Sequence, residues 1–199
     1  MIPKIGLFLD TKPSEGGTYQ FCVTLLHAMS ALSPSRIHAL IFYTDPLWRP
    51  QVESRGLPGV FIGKGNWARV SRRRSNAFLP VGLWRRIAPR IHPVLKAITD
   101  SKCDLWFFPS QDTWTYLATA PAIGVIFDLM HRYERRFPEV SSRGIYYSRE
   151  RHYQNMCRWS KGLIVDSEVG RNHVVESYGI SPEKIHVLPF VPPDYLFRD

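Results

Sequence analysis

The segment Lys161 to Gly179, KGLIVDSEVGRNHVVESYG, carries the pattern that decides the fold. Gly162 to Val165 is apolar and too short for a helix, so it reads as a buried strand, closed by Asp166-Ser167. Ser167 is a good N-cap for a helix from Glu168 to Ser177, and Tyr178-Gly179 ends that helix with glycine at the terminating position. Working outward, Tyr146 to Trp159 is long enough for a preceding helix, and Ile185 to Leu188 is a following strand before the proline-rich Pro189, Pro192 and Pro193.

The same alternation runs through the rest of the chain. Lys4 to Leu9 is an apolar run followed by EGGTYQF, whose glycines end a strand and open a helix. From Thr18, apolar Phe21, Leu25, Ala28, Met29 and Leu32 recur at three- and four-residue steps until Pro34 stops the helix. Ile37 to Tyr43, Asp104 to Phe108 and Ala122 to Phe127 read as further strands. Pro46 to Pro93 is the least regular part, expected to be loop with one or two amphipathic helices. Short apolar strands alternating with helices call for one Rossmann-like α/β domain over residues 1–190, a doubly wound parallel sheet covered on both faces, with 191–199 the start of a linker or tail. In such sheets ligands bind beyond the carboxyl ends of the strands, so functional residues are expected just after Leu9, Phe108, Phe127 and Val165.

The 199 residues, 44% apolar and 22% charged, suffice for a normal core. Cys22, Cys103 and Cys157 form no CxxC pair and have no paired His spacing, so they read as buried thiols, with no disulfide framework and no metal site. The N-terminus carries no signal-peptide pattern, and no apolar run approaches the roughly 20 residues that span a bilayer. A cytoplasmic chain is expected, with any membrane contact peripheral. The net charge of +9 comes mostly from Lys64 to Arg90, which holds eight Lys or Arg and no acid. That stretch sets Trp67, Arg72, Arg73, Arg74, Trp84, Arg85 and Arg86 close together, a composition suited to an anionic lipid surface or phosphate-bearing acceptor. No helix-turn-helix, zinc-finger or RNP-type pattern accompanies it, so nucleic acid is not an expected partner.

Two constellations could carry chemistry. Gly16-Gly17-Thr18 lies where the first strand turns into the first helix, and free amides at a helix start can cradle a phosphate. The alternative is a tight turn, and the spacing is not the GxGxxG of nicotinamide enzymes. Asp128 and His131, in FDLMHRYERRFPE, follow a buried strand directly. They could position a sugar hydroxyl or exchange a proton with it; equally, Asp128 could cap a turn in a solvated loop. Glu168 and Glu176 fall on one helix about 80° apart, which needs no functional explanation.

EGGTYQF, DLWFFPS, FDLMHRYERRFPE and RERHYQNMCRWSKGLIVDSEVGRNHVVESYGISPEKIHVLPF together resemble the N-terminal domain of retaining, family-4-like glycosyltransferases of GT-B architecture. The resemblance implies sugar transfer from a nucleotide-sugar to a glycan or lipid-linked acceptor with retention of configuration, of the hexosyltransferase type and without a metal or other cofactor. It makes Gly16, Gly17 and Thr18 the loop that approaches the donor phosphates, and Asp128 the acid of the family's His-Asp pair. Phe127 stands where relatives place the histidine, which makes His131 the candidate substitute. Most of the donor site lies in a second domain of this family, so a separate donor-binding domain or chain is the implied partner, and the chain alone is expected to turn over little donor. Surface polysaccharide or glycolipid synthesis at the inner membrane face is the implied setting. A non-catalytic module of the same fold, docking an anionic lipid or partner protein through its basic patch, is the competing reading.

Overall fold

The computed structural model describes residues 1–63 and 80–191. Seven strands, β1 Lys4–Leu9, β2 His38–Tyr43, β3 Gly59–Phe61, β4 Leu105–Phe108, β5 Ala122–Val125, β6 Gly162–Val165 and β7 Ile185–Val187, form one parallel sheet in the order β3-β2-β1-β4-β5-β6-β7. This is the expected Rossmann-like arrangement. β1 pairs with β2 from Lys4↔His38 to Leu9↔Tyr43 and with β4 from Ile5↔Leu105 to Leu7↔Phe107. The chain thus leaves β1 toward one edge and returns on its other side, which makes the β1/β4 boundary the topological switch point.

Side chains alternate between the faces, as strand geometry requires. Leu7, Leu9, Ile41 and Tyr43 pack with Cys22, Leu26, Trp48 and Val52 beneath α1 (Gly17–Ala31) and α2 (Arg49–Glu53). Phe8, Phe42, Trp106, Phe108, Leu163 and Val165 form the larger core on the opposite face. Over that core lie α3 (Val81–Ile91), α4 (Pro93–Asp100), α5 (Trp114–Leu117), α8 (Arg143–Trp159) and α9 (Glu168–Tyr178); the short α6 (Met130–Tyr133) and α7 (Pro138–Ser141) connect β5 to α8. Close approach across the sheet depends on Gly6, where a Cβ would fall 2.5 Å from the buried Trp106 indole. All three cysteines are buried free thiols.

The helix read from Ser167 to Gly179 forms as its end signals dictate. Ser167 Oγ accepts the Gly170 amide at 3.1 Å, and Gly179 closes the helix in the left-handed region at φ 61°. β3 lies inside the stretch read as irregular: it has three residues, all exposed, at the sheet edge, too few to show an apolar run. Among the described residues no helix is long and apolar enough to cross a membrane.

Candidate functional site

The strand ends on either side of the switch point carry a polar rim. Asp10 and Thr11 follow β1, Thr44 follows β2, and Ser110, Gln111 and Asp112 follow β4. Asp10 is tightly held: Thr44 Oγ1 donates to its Oδ1, and Trp114 Nε1 donates to its Oδ2 at 3.3 Å. The Trp48 indole fixes the next residue by donating to the Thr11 carbonyl at 2.9 Å. Cys22 sits under this rim beside Thr11 and Ser110; burial pushes its thiol up to about 12, so it packs as a neutral group and does not act as a nucleophile.

From β1 the chain makes a 3₁₀ turn, Pro13–Glu15, in which Glu15 Oε1 accepts the Lys12 amide at 3.2 Å. Gly16 then takes φ 57° and ψ −119°, a conformation side chains disfavour, and α1 begins at Gly17. Nothing lies within 4 Å of a Cβ built on Gly16 or Gly17. The first amides of α1 have no intrahelical acceptor, so this turn presents unfilled donors at the positive end of the helix dipole, with space for an anion. Thr18 lies in the same first turn and is half-buried.

Aromatic packing links this turn to Asp128. The Phe21 ring of α1 lies 5.5 Å from Phe127, the residue before Asp128, and Phe190 beyond β7 lies 5.6 Å from Phe21 and 5.4 Å from Phe127. α1, the end of β5 and the segment after β7 therefore meet across the strand ends. Phe127, directly before Asp128, is thus an aromatic ring in an apolar cluster.

Asp128 accepts the Met130 amide at 3.0 Å, the turn-capping geometry anticipated as its plainer role, and is also paired with Arg149 of α8. Their side chains keep 39% and 26% of their surface exposed, so the pair faces solvent at the rim. Arg149 also donates to Tyr153 Oη at 3.2 Å, and Tyr153 donates to Gln111 Oε1 at 2.9 Å. Gln111 has φ 52°, a strained value for a non-glycine residue that this hydrogen bond helps to hold. The relay connects the ends of β4 and β5 through one helix. Burial pushes the Tyr153 hydroxyl up to about 12, which keeps it a donor.

His131, expected beside Asp128 on the rim, points the other way. Its side chain is 0% exposed, and Nε2 donates to Glu150 Oε1 at 2.7 Å. Arg132 closes on both oxygens of the same carboxylate, and Tyr178 Oη donates to it at 3.2 Å. Burial lowers the His131 pKa despite the Glu150 charge, so the ring is neutral at pH 7. It ties α6, α8 and α9 together behind the rim. The physical reason is helical geometry: α6 starts at Met130, and its turn rotates His131 away from the direction in which Asp128 points.

The basic stretch divides similarly. Trp67, Arg72, Arg73 and Arg74 lie outside the described residues. Trp84 packs against the larger core, and Arg85 turns inward, donating to the Tyr116 carbonyl at 2.7 Å with its guanidinium 5.0 Å over the Trp159 ring. Arg86 is exposed.

No family model matches the sequence, and a search of curated proteins finds no match. Solved structures do match in fold. A crystal structure of a UDP-N-acetylglucosamine 2-epimerase, described as putative, from Listeria monocytogenes aligns over 94% of this chain with a TM-score of 0.55 at 12% identity. The UDP-N-acetylglucosamine 2-epimerase of Neisseria meningitidis, bound to UDP-N-acetylglucosamine, aligns over 92% with a TM-score of 0.51 at 12% identity. The lipopolysaccharide outer core galactosyltransferase WaaB aligns over 94% with a TM-score of 0.50 at 12% identity. The likeness is one of fold, the Rossmann-like parallel α/β arrangement described above. The chain spans 45% of the length of each of these three structures.

Asp10 and Arg149 join this rim without having stood out in the sequence, although a signal existed for Asp10. Asp10 directly follows the last residue of β1, a position already marked by the strand-end rule, whereas Asp128 lies three residues beyond Val125, because β5 ends earlier than its apolar run. Arg149 carried no local signal, because it reaches Asp128 across 21 residues and two short helices.

Proposed function

We propose that the chain is the acceptor-side half of a glycosyltransferase that moves a hexose from a nucleotide-sugar to a glycan or lipid-linked acceptor with retention, working at the inner membrane face with a separate donor-binding domain or chain. The observation that carries this reading is the polar rim at the β1/β4 switch point beside the open Gly16-Gly17 turn. Gly16, Gly17 and Thr18 receive the donor phosphates on helix amides, and the Asp128–Arg149 pair, with Asp10, offers hydrogen bonds to sugar or acceptor hydroxyls. His131 keeps a supporting role, since its ring reaches the rim only through the helices it joins. Turnover is expected when the donor half is present.

A test follows from the turn. Gly17→Asp has room for its side chain, and an acid in the first turn favours the helix, while a fixed carboxylate repels a phosphate. Titration calorimetry with UDP and UDP-hexoses on the protein together with its donor half is expected to show at least tenfold weaker binding and an unchanged or raised melting temperature. Unchanged affinity removes the phosphate role of the turn. The same fold also serves the UDP-N-acetylglucosamine 2-epimerases. Product analysis separates the two chemistries: an epimerase yields an isomeric nucleotide-sugar with no acceptor, whereas a transferase releases nucleoside diphosphate only when acceptor is supplied.

A further inference from the structure

α3 has an outer face that its own packing does not explain. Leu83, Ile87 and Ile91 recur every four residues and are 44%, 39% and 50% exposed, so one stripe of the helix presents apolar side chains to solvent. Exposed Arg86 and Arg90 run beside that stripe. Arg90 is braced on the Arg86 carbonyl at 2.8 Å. Behind them, between α3 and α4, lies a groove of about 560 Å³ whose described lining includes Arg85, Arg86, Arg90 and Lys96, with Asp100 the one acid among those described residues. Ala88, about 100° around the helix from Ile87, is buried, and the inward Arg85 contacts to α5 and α8 tie the helix to the core in this orientation.

An apolar stripe alone does not name an occupant, but its charge does. Leucine and isoleucine flanked by arginines match the chemistry of a bilayer interface, where aliphatic side chains enter the acyl boundary and guanidiniums meet phosphate headgroups. Orientation adds a second argument. Ile91 adjoins His92, whose ring lies 5.1 Å from Trp114, and the Trp114 indole donates to Asp10 on the rim. Leu83 to Ile91 spans about 12 Å along the axis, so the stripe leads toward the functional end of the sheet.

We infer that the outer face of α3, through Leu83, Ile87 and Ile91 flanked by Arg86 and Arg90, docks the protein on an anionic phospholipid bilayer. This deepens the reading of the site as one that serves a lipid-linked acceptor, and its test is independent of sugar transfer. Docked this way, the rim lies near the headgroup layer, within reach of a substrate whose lipid stays in the membrane.

The experiment is co-sedimentation of the whole protein with vesicles of pure phosphatidylcholine and of phosphatidylcholine containing about one third phosphatidylglycerol, with circular dichroism confirming that each variant is folded. The wild type is expected to pellet with the anionic vesicles and to remain in solution with the neutral ones. Arg86→Ser and Arg90→Ser each weaken binding about fivefold, and Leu83→Ser/Ile87→Ser/Ile91→Ser abolishes it. At 1 M salt, where the screening length is about 3 Å, binding falls sharply. Equal binding to both vesicles, no binding to either, or folded α3 variants that bind like wild type overturn the inference. So does loss of binding in Arg72→Ser/Arg73→Ser/Arg74→Ser while the α3 variants keep it, since that locates the surface elsewhere.

Discussion

Replacing Glu150 with alanine removes the acceptor shared by three side chains. His131 Nε2 at 2.7 Å, Arg132 Nε at 2.6 Å and Tyr178 Oη at 3.2 Å all donate to one carboxylate whose residue is 8% exposed. Its burial disfavours the charge, yet the hydrogen bonds from Arg132 and His131 and the charge of Arg132 lower its pKa. Breaking a buried ion pair by removing one partner costs about 3–5 kcal/mol, because the remaining charge is left without compensation. The Arg132 side chain is 28% exposed and regains some water, so the lower end applies, about 3 kcal/mol. For a protein of this size that corresponds to a fall in melting temperature of about 6–12 °C. Thermal and urea unfolding at pH 7, followed by far-ultraviolet circular dichroism, measures it. Glu150→Gln, which keeps the shape and one acceptor oxygen, is expected to lose less. A loss below about 1 kcal/mol for Glu150→Ala would refute the view that this carboxylate ties α6, α8 and α9 together.

Stability should also fall on mild acidification. Burial lowers the pKa of His92, His131 and His152, the last to about 4, so the unfolded chain binds protons that the folded chain does not. With folded pKa values depressed, the contribution is complete above about pH 6.5 and is lost as pH falls toward 4, about 3 kcal/mol for His152 alone. Melting temperatures across that range measure the slope, and His152→Gln should flatten it; a flat wild-type profile contradicts the assignment. Gly6→Ala forces a methyl to 2.5 Å from a rigid, fully buried Trp106 ring and is expected to cost about 1–3 kcal/mol in urea unfolding. A wild-type midpoint would show that β1 and β4 do not approach as described.

Much of the architecture was legible along the chain. β1 begins and ends where its apolar run does, α9 lies between Ser167 and Gly179, and glycine marks the turn into α1, because backbone geometry imposes local periods and end signals on neighbouring residues. The exposed three-residue β3 showed no such period. The candidate site was legible to the same depth: strand ends marked where Gly16, Gly17 and Asp128 would lie, while side-chain direction escaped. His131 lies three residues from Asp128, and its inward turn depends on Glu150, 19 residues away. Trp84 and Arg85 read as surface anchors, whereas the fold packs Trp84 against the larger core, turns Arg85 to α5 and α8 and leaves Leu83, Ile87 and Ile91 outside.

Residue order alone therefore determined the alternation of strand and helix, the parallel class of the sheet and the positions of its turns. Strand order around β1, the Asp128–Arg149 pair, the buried carboxylate knot and the outward face of α3 were decided only by tertiary packing. Local conformation follows from steric and hydrogen-bonding preferences within a few residues, whereas a polar side chain turns toward whatever partner the folded chain brings within about 3 Å.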